Sequence, residues 1–533
     1  MISRAAIAGP FLAVLCSTAA HAGVFKPEDL LQRTAEPPVA VPATAPCTET
    51  VLVHTFANSY YSPGFGTHSP TKCPGPWSAV VMGVDLSVSG VQFDRIFDVY
   101  VGRVVMLSSS TSEPASPLPN AVTHWHVESD VSRFAGLMGS SQPITMILNN
   151  VNDSTYTGQY EVKVTLTFYA TNAKNPAVKT PDLIIPVLPD NPSNPNLPGD
   201  YGGDGYAFLT PSASSYAQAV TLPRNLLTLH ADLYGQGHGA CEEFWWAAPS
   251  QCGVGTPLRQ VVISIDGKIA GFAPVYPVLF TGGGGPGSWN PIPSPRAWHL
   301  DPYRVDLTPF VGRLTDGAQH QFALTIPDAG YSDPGDFWLA GATLLATVDH
   351  GTSQTTGQLT SAPVAASATE SATAGADTTG ILNFSASRTG MWTGFVNSSA
   401  GRIDTTFSST FDLSTVQANS ALTNSTWHWT TVDKSSLASS APLTKTVART
   451  YGLRAPPAGG GDFKDAATTT ITQGAQSSTS NFNLDLRTLG AVEANAIEVE
   501  RYQATDSNGL CDDREVTAAG GYVTSSRSGL PCL

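Results

Sequence analysis

Val162-Lys163-Val164-Thr165-Leu166-Thr167-Phe168 places an apolar side chain at every second position. A period of two marks a strand with one face in a core, because successive side chains of a strand point to opposite faces. The same reading extends in both directions. Upstream, Val80-Val81-Met82-Gly83-Val84-Asp85-Leu86-Ser87-Val88 alternates in part. Downstream, Val261-Val262-Ile263-Ser264-Ile265 runs into Asp266-Gly267, a two-residue hairpin signal. Ile403, Thr405, Phe407, Ser409 and Phe411 alternate with their neighbours, as do Phe482, Leu484 and Leu486, and the stretch 492–502. With 49 glycines and 40 prolines to supply turns, an all-β chain is expected.

Two stretches punctuate these strands. Residues 186–199 are dense in Pro and Asn and read as a linker; residues 351–380 are rich in Thr, Ser and Ala and read as a low-complexity connector. They leave three β-rich regions, 47–185, 200–350 and 381–533. The first two share an echo. Asp130-Val131-Ser132-Arg133-Phe134 precedes Leu137-Met138, and Asp306-Leu307-Thr308-Pro309-Phe310 precedes Gly312-Arg313-Leu314. Each reads as one helical turn after a strand, with an Asp cap and an inward Phe. The shared punctuation suggests two copies of one sandwich fold.

Only 13% of residues are charged, and the net charge is −15. That balance excludes a nucleic-acid binder, which needs a basic stripe, and disfavours adhesion to anionic membranes. The N-terminus reads as a signal peptide over residues 1–22: Arg4, an apolar run from Ala5 to Ala20, and the A-x-A-like Ala20-His21-Ala22. That run is short for a membrane span of about 20 residues. A Pro- and Ala-rich leader follows at 23–46. A secreted or periplasmic protein is expected, as a monomer. Loss of the signal would leave Cys47, Cys73, Cys241, Cys252, Cys511 and Cys532. Their local couples predict the disulfides Cys47–Cys73, Cys241–Cys252 and Cys511–Cys532.

Two segments carry candidate chemistry. Phe93-Asp94-Arg95 leads into the apolar Ile96-Phe97-Asp98-Val99-Tyr100-Val101, and Cys241-Glu242-Glu243 leads into Phe244-Trp245-Trp246. Carboxylates in apolar surroundings can exchange protons near neutral pH, and aromatic walls suit sugar rings. By themselves these residues are better read as a structural ion pair and a charged rim over core aromatics. His124-Trp125-His126 would set two imidazoles on one strand face, but no third metal ligand is in view. The sequence offers no dinucleotide loop and no G-x-S-x-G elbow. Asn152, Asn383, Asn397 and Asn424 begin N-x-S/T sequons.

The chain resembles the peptide-N-glycosidases of the A type, which cut the amide linking an N-glycan to asparagine. The resemblance rests on motifs in one order: Thr55-Phe56-Ala57-Asn58-Ser59-Tyr60, Cys73-Pro74-Gly75-Pro76-Trp77, the Asp94 segment, Ser112-Glu113-Pro114, Asn152 to Gly158, Ile265 to Lys268, Pro277 to Gly283 and Phe337-Trp338-Leu339. Ser387-Arg388-Thr389-Gly390 and Gly401-Arg402-Ile403 carry it into the third region. A more distant similarity is to the F type, which implies two side-by-side jelly-roll domains, here followed by the third β-rich domain. It also implies Asp94 as the principal catalytic carboxylate and Glu243 as its support. Phe93, Arg95, Glu242, Trp245, Arg296 and Trp298 would contact substrate, with Phe93, Trp245 and Trp298 as sugar platforms. A further family carboxylate falls at Asn149, which can hydrogen-bond but cannot titrate. The substrates implied are N-glycosylated peptides or denatured glycoproteins, cut in acid with tolerance of core α1,3-fucose and without cofactor or metal. A non-catalytic glycan-binding sandwich and an endoglycosidase are the alternatives.

Overall fold

A computed structural model describes residues 30–32, 38–113, 122–239, 258–275, 278, 280, 296–327, 336–363, 369–374, 381–418, 425–438, 443–455, 460–473, 476–489, 497–505, 511–519 and 522–528. The described chain is almost entirely strand. In Gln159–Ala170 the alternation holds as read: Tyr160, Val162, Val164, Leu166 and Phe168 are all buried, and the residues between them face outward.

The first unit packs two sheets face to face. One runs in the order Leu30–Leu31, Val122–Asp130, Trp77–Ser89, Gln159–Ala170, Pro46–Phe56; the other runs Gly64–His68, Gln142–Leu148, Ile96–Val101, Val104–Ser110. The second unit has the sheets Leu183–Val187, Phe337–Val348, Leu226–His238, Tyr303–Asp306 and Ser215–Thr221, Gln319–Thr325, Gln260–Ile265, Lys268–Pro274. Apart from the two-residue strand at 30–31 and the short Ala207–Leu209, the strands follow one order in both units. The expected echo is therefore architectural. Asp130 ends one strand and accepts the Ser132 N–H at 2.9 Å; Asp306 ends its counterpart and accepts the Thr308 N–H at 2.9 Å. Phe134 and Phe310 are fully buried beneath these turns. Asp266 and Gly267 close the predicted hairpin with φ of 49° and 75°, the positive values a primed turn requires.

Three boundaries differ from the sequence reading. The first region was expected to end at 185, yet Leu183–Val187 pairs with Phe337–Val348 and belongs to the second unit's sheet. The expected linker begins within that strand. The connector 351–380 contains the strands Thr356–Ser361 and Thr369–Ala374, both paired with Ile381–Ser398. Small hydroxylated residues pair well along a ladder even where composition suggests low complexity. The third region is a long antiparallel sheet running to Tyr522–Ser528. It docks on the second unit through Arg388, whose guanidinium donates to Gln260 Oε1 and lies 4.3 Å from the Phe272 ring centroid. Trp392 Nε1 donates to Ile269 O at 2.8 Å, and a Cβ on Gly394 would stand 2.2 Å from Pro309 O. The disulfide Cys47–Cys73 is present, with a Cα separation of 5.7 Å. Cys241, Cys252 and Cys532, and the side chain of Cys511, lie outside the described residues.

The first two units meet across a polar, tyrosine-rich seam. The Tyr206 hydroxyl donates to Asp98 Oδ1 at 3.0 Å, the Tyr100 hydroxyl to the Asp204 carbonyl, and Asn149 Nδ2 to Asp204 Oδ1 at 2.8 Å. Arg133 Nε reaches Asp232 at 3.0 Å. Asp98 is fully buried, and burial raises its pKa to about 7; Asp204 is raised well above the ordinary value by burial and by Asp98. An acid whose folded pKa exceeds its unfolded one holds a proton in the native state that the unfolded chain releases. Its stabilising proton is fully present below about pH 4 and is lost as pH rises toward 7. Between about pH 4 and pH 7 these acids should therefore contribute a decline in Tm as pH rises. For Asp98 alone the loss is on the order of 4 kcal/mol, at about 1.4 kcal/mol per pH unit. Asp98→Asn should flatten that decline; a variant melting with the wild-type pH slope would contradict it.

Candidate active site

Gln92 organises the entry to the strand Ile96–Val101. Its buried amide donates to Val151 O at 2.7 Å and Gly158 O at 3.1 Å, while its Oε1 accepts from Phe93 N at 3.1 Å and Arg95 Nη2 at 3.0 Å. The Arg95 guanidinium, 5.6 Å from the Phe93 ring centroid, is therefore aimed along the strand mouth. Phe93 is 43% exposed and packs at 4.4 Å against Tyr156, so an aromatic pair stands open beside Asp94. The loop carrying Tyr156 is held by Asp153, which accepts the N–H of Thr155 at 2.7 Å and of Tyr156 at 2.8 Å.

A second segment lies against the first. The ladder between Ile96–Val101 and Val104–Ser110 pairs Ile96 with Ser110 and continues one step further, as Thr111 N donates to Arg95 O at 2.7 Å. Arg95 N donates in return to Thr111 Oγ1 at 2.8 Å. The Thr111 hydroxyl donates to the Tyr160 hydroxyl at 3.0 Å, which itself donates to Phe93 O at 2.7 Å. Tyr160 is fully buried, and burial raises its pKa, which keeps the phenol protonated as a donor. Residues 93–95 and 111–113 thus form one rigid lip. Glu113 stands on it, half-buried, with its pKa raised to about 7 by burial and by the charge of Asp94. A carboxyl group that is half protonated near neutral pH beside a second carboxylate can give or take a proton. Sequence reading passed over Glu113 as a chemical group. Its signal was Pro114, which biases the preceding residue toward extended backbone.

Below the lip runs an aromatic column. Trp125 meets Tyr160 edge-on at 6.2 Å and stacks on Trp298 at 5.9 Å. Trp298 is 1% exposed, so the structure places it under the site as packing, not on an open face where a sugar ring could stack. It arrives from the second unit: Ala297 O accepts from Ser110 N at 3.1 Å and from the Ser110 hydroxyl at 2.6 Å, and Leu300 N donates to Ser108 O at 3.0 Å. Arg296 is buried within that stitch, with φ of 69°, and lines a cavity of about 50 Å³ in the second unit together with Gln236 and Asp301. Asn149 is also buried. Its amide donates to Asp204 Oδ1 and, at 2.8 Å, to Tyr201 O, and its Oδ1 accepts from Tyr61 N at 3.3 Å. Its side chain is engaged at the seam between units, while its backbone follows Leu148, the ladder partner of Phe97, at the strand end that carries Phe93, Asp94 and Arg95. Glu242, Glu243 and Trp245 lie outside the described residues.

His126 bonds Asp85 at 2.7 Å within a network that includes Lys163 and Glu128, which raises its pKa to about 9. Among the described residues no group of three His, Cys, Asp or Glu is placed to hold a metal ion. Nor is any helix among them long and apolar enough to cross a membrane.

The family model for "Peptide N-acetyl-beta-D-glucosaminyl asparaginase amidase A" matches residues 36–364, which include the Asp94 lip, both sandwich units and the seam. The chain belongs to this family. The peptide-N4-(N-acetyl-beta-glucosaminyl)asparagine amidase A of Prunus dulcis is 32% identical over 348 residues, 60% of this chain. The match spans 58% of that relative's own length. Among solved structures, PNGase F, a glycosylasparaginase from Flavobacterium meningosepticum, aligns over 57% of this chain and 96% of its own at 15% identity, with a TM-score of 0.38. A peptide-N(4)-(N-acetyl-beta-D-glucosaminyl) asparagine amidase aligns over the same shares with a TM-score of 0.36. The all-β architecture rests on the strand pairing itself, not on these superpositions.

The Tyr160 hydroxyl ties both halves of the lip. Tyr160→Phe should leave the Phe93 carbonyl without its donor and cost about 1–3 kcal/mol of stability. Unchanged melting in the variant would show that the tie has no structural role.

Proposed function

We propose that this protein hydrolyses the amide between the innermost GlcNAc of an N-glycan and asparagine. The intact glycan leaves as a glycosylamine and the peptide retains Asp. The observation that carries this reading is the family match over residues 36–364, which includes Asp94 beside an exposed aromatic pair. Asp94 would activate the attack on the side-chain amide, and Glu243 would assist through water or a hydrogen bond. Arg95, fixed by Gln92, would steer Asp94 or the sugar. Phe93 and Trp245 would offer ring faces to the glycan, with Glu242 and Arg296 at the edge of the site. Trp298 would support it from beneath. The common strand order of the two units supports reading both as jelly rolls.

The substrates would be N-glycosylated peptides or denatured glycoproteins, including those with core α1,3-fucose, and the working pH would be acidic. Raised pKa values at Asp98, Asp204 and Glu113 favour acid conditions. The protein would act outside the cytoplasm, in keeping with the Cys47–Cys73 disulfide.

Mass spectrometry of one digested glycopeptide tests the reaction. The expected product is a glycan-free peptide with Asn converted to Asp. A peptide retaining a single GlcNAc would instead identify an endoglycosidase, and an intact glycopeptide recovered in complex would identify a glycan-binding protein. Asp94→Asn, with its fold checked by circular dichroism, should lose on the order of 100-fold in kcat, as expected for a positioned acid or base. Near-native turnover in that variant would remove Asp94 from the mechanism.

A further inference from the structure

We propose that Glu113 is a further carboxyl of the active site, distinct from the assisting Glu243, and donates the proton that the leaving glycan nitrogen needs while Asp94 receives one from the attacking water. This rests on the amidase reading above and assigns the half of the chemistry that Asp94 cannot perform alone. Amide cleavage needs two opposite proton transfers, one from the attacking water and one to the departing nitrogen. One carboxylate cannot be poised for both at once, so a pair with separated pKa values is required. The family position that might have supplied a further carboxylate is Asn149, and its side chain is committed to Asp204, Tyr201 and Tyr61.

Glu113 has the geometry for the role. The Thr111–Arg95 bonds carry the strand pairing past Ile96 and Ser110, so residues 111–113 run beside 93–95. The Tyr160 hydroxyl holds this arrangement through Phe93 O at 2.7 Å and Ser112 O at 3.3 Å. Ser112 is fully buried, while Glu113 is half-buried and therefore reachable from the mouth. The groups that share its electrostatic environment are Asp94, which acts on it directly, Tyr160, and Arg95, which acts on Tyr160. Burial and the Asp94 charge keep Glu113 protonated up to about pH 7.

The step balances. The water oxygen bonds to the side-chain carbonyl carbon of the glycosylated asparagine as Asp94 takes a water proton. The tetrahedral adduct then collapses, the carbon–nitrogen bond breaks, and Glu113 protonates the departing nitrogen. The peptide keeps a carboxylic acid, the glycan leaves as its glycosylamine, and the proton on Asp94 returns to Glu113.

Two measurements on the full chain test the assignment. In protein labelled with 13C at glutamate carboxyls, the resonance lost in Glu113→Gln should titrate near pH 7 in the wild type. It should shift toward the ordinary carboxyl range in Asp94→Asn, since removing a nearby like charge lowers a carboxyl pKa. A Glu113 midpoint in the ordinary range in the wild type would overturn the proposal without reference to activity. In steady-state kinetics on a glycopeptide, Glu113→Gln should lose on the order of 100-fold in kcat with little change in KM. Its residual activity should lack the fall above pH 7, and Glu113→Asp should restore part of the rate and the fall. If Asp94→Asn is inactive while folded Glu113→Gln keeps near-native kcat and the same basic limb, the proposal fails and the amidase reading stands. If the wild type leaves a GlcNAc on the peptide, or does not cleave it, the amidase reading fails and this role falls with it.

Discussion

One buried hydroxyl, that of Tyr160, is the interaction on which the candidate site depends. It donates to the Phe93 carbonyl and accepts from Thr111, and so joins the residues before one strand to the residues after its neighbour. Strand mouths are normally the loosest part of a sandwich, because the ladder has ended and the backbone groups face water. Here the ladder is continued by side chains: Thr111 with Arg95, Gln92 with Phe93 and Arg95, Tyr160 with both segments. A lip built this way can hold two carboxyl groups near each other against their repulsion. Burial, and then the charge of Asp94, raise the Glu113 pKa to about 7.

The lip stands on the joint between the two units. Ser110 is bonded to Ala297 of the second unit, and Trp298 stacks on Trp125 directly below Tyr160. The second unit therefore braces the site that the first unit displays. The seam is polar, with Tyr100, Tyr206 and Tyr234 around Asp98 and Asp204. Buried acids at a seam are costly when ionised and cheap when protonated. Docking of the units and protonation of these groups are thus linked, and the linkage runs in the same direction as the protonation of Glu113. Stability and the proposed chemistry favour the same side of neutrality.

The third sheet reaches the second unit on the side of Phe272, where Arg388 and Trp392 dock. Its two similarity segments serve different ends there. Arg388 satisfies a buried charge against Gln260 and an aromatic face, whereas Arg402 pairs with Asp404 in the open at 2.8 Å.

Much of the fold was legible in the sequence because strands with one buried face write their period into it. Tyr160 to Phe168, the Asp266-Gly267 hairpin and the paired Asp130 and Asp306 turns are local features, set by alternation, backbone sterics and short-range hydrogen bonds. Membership of the family was legible too, from the order of motifs along residues 55–339. What no local pattern could show was which distant side chains meet. Leu183–Val187 belongs to the sheet of the second unit because its partner lies at Phe337–Val348. Trp298 is exposed or buried according to whether Trp125 covers it, and Asn149 faces a substrate or a seam according to where Asp204 lies. Glu113 gained its raised pKa only from burial and from a carboxylate nineteen positions earlier in the sequence, 113 against 94. The sequence by itself determined the strands, the turns and the family. Tertiary structure alone decided the pairing of carboxyl groups, because desolvation and Coulomb interaction depend on distance in space and not along the chain.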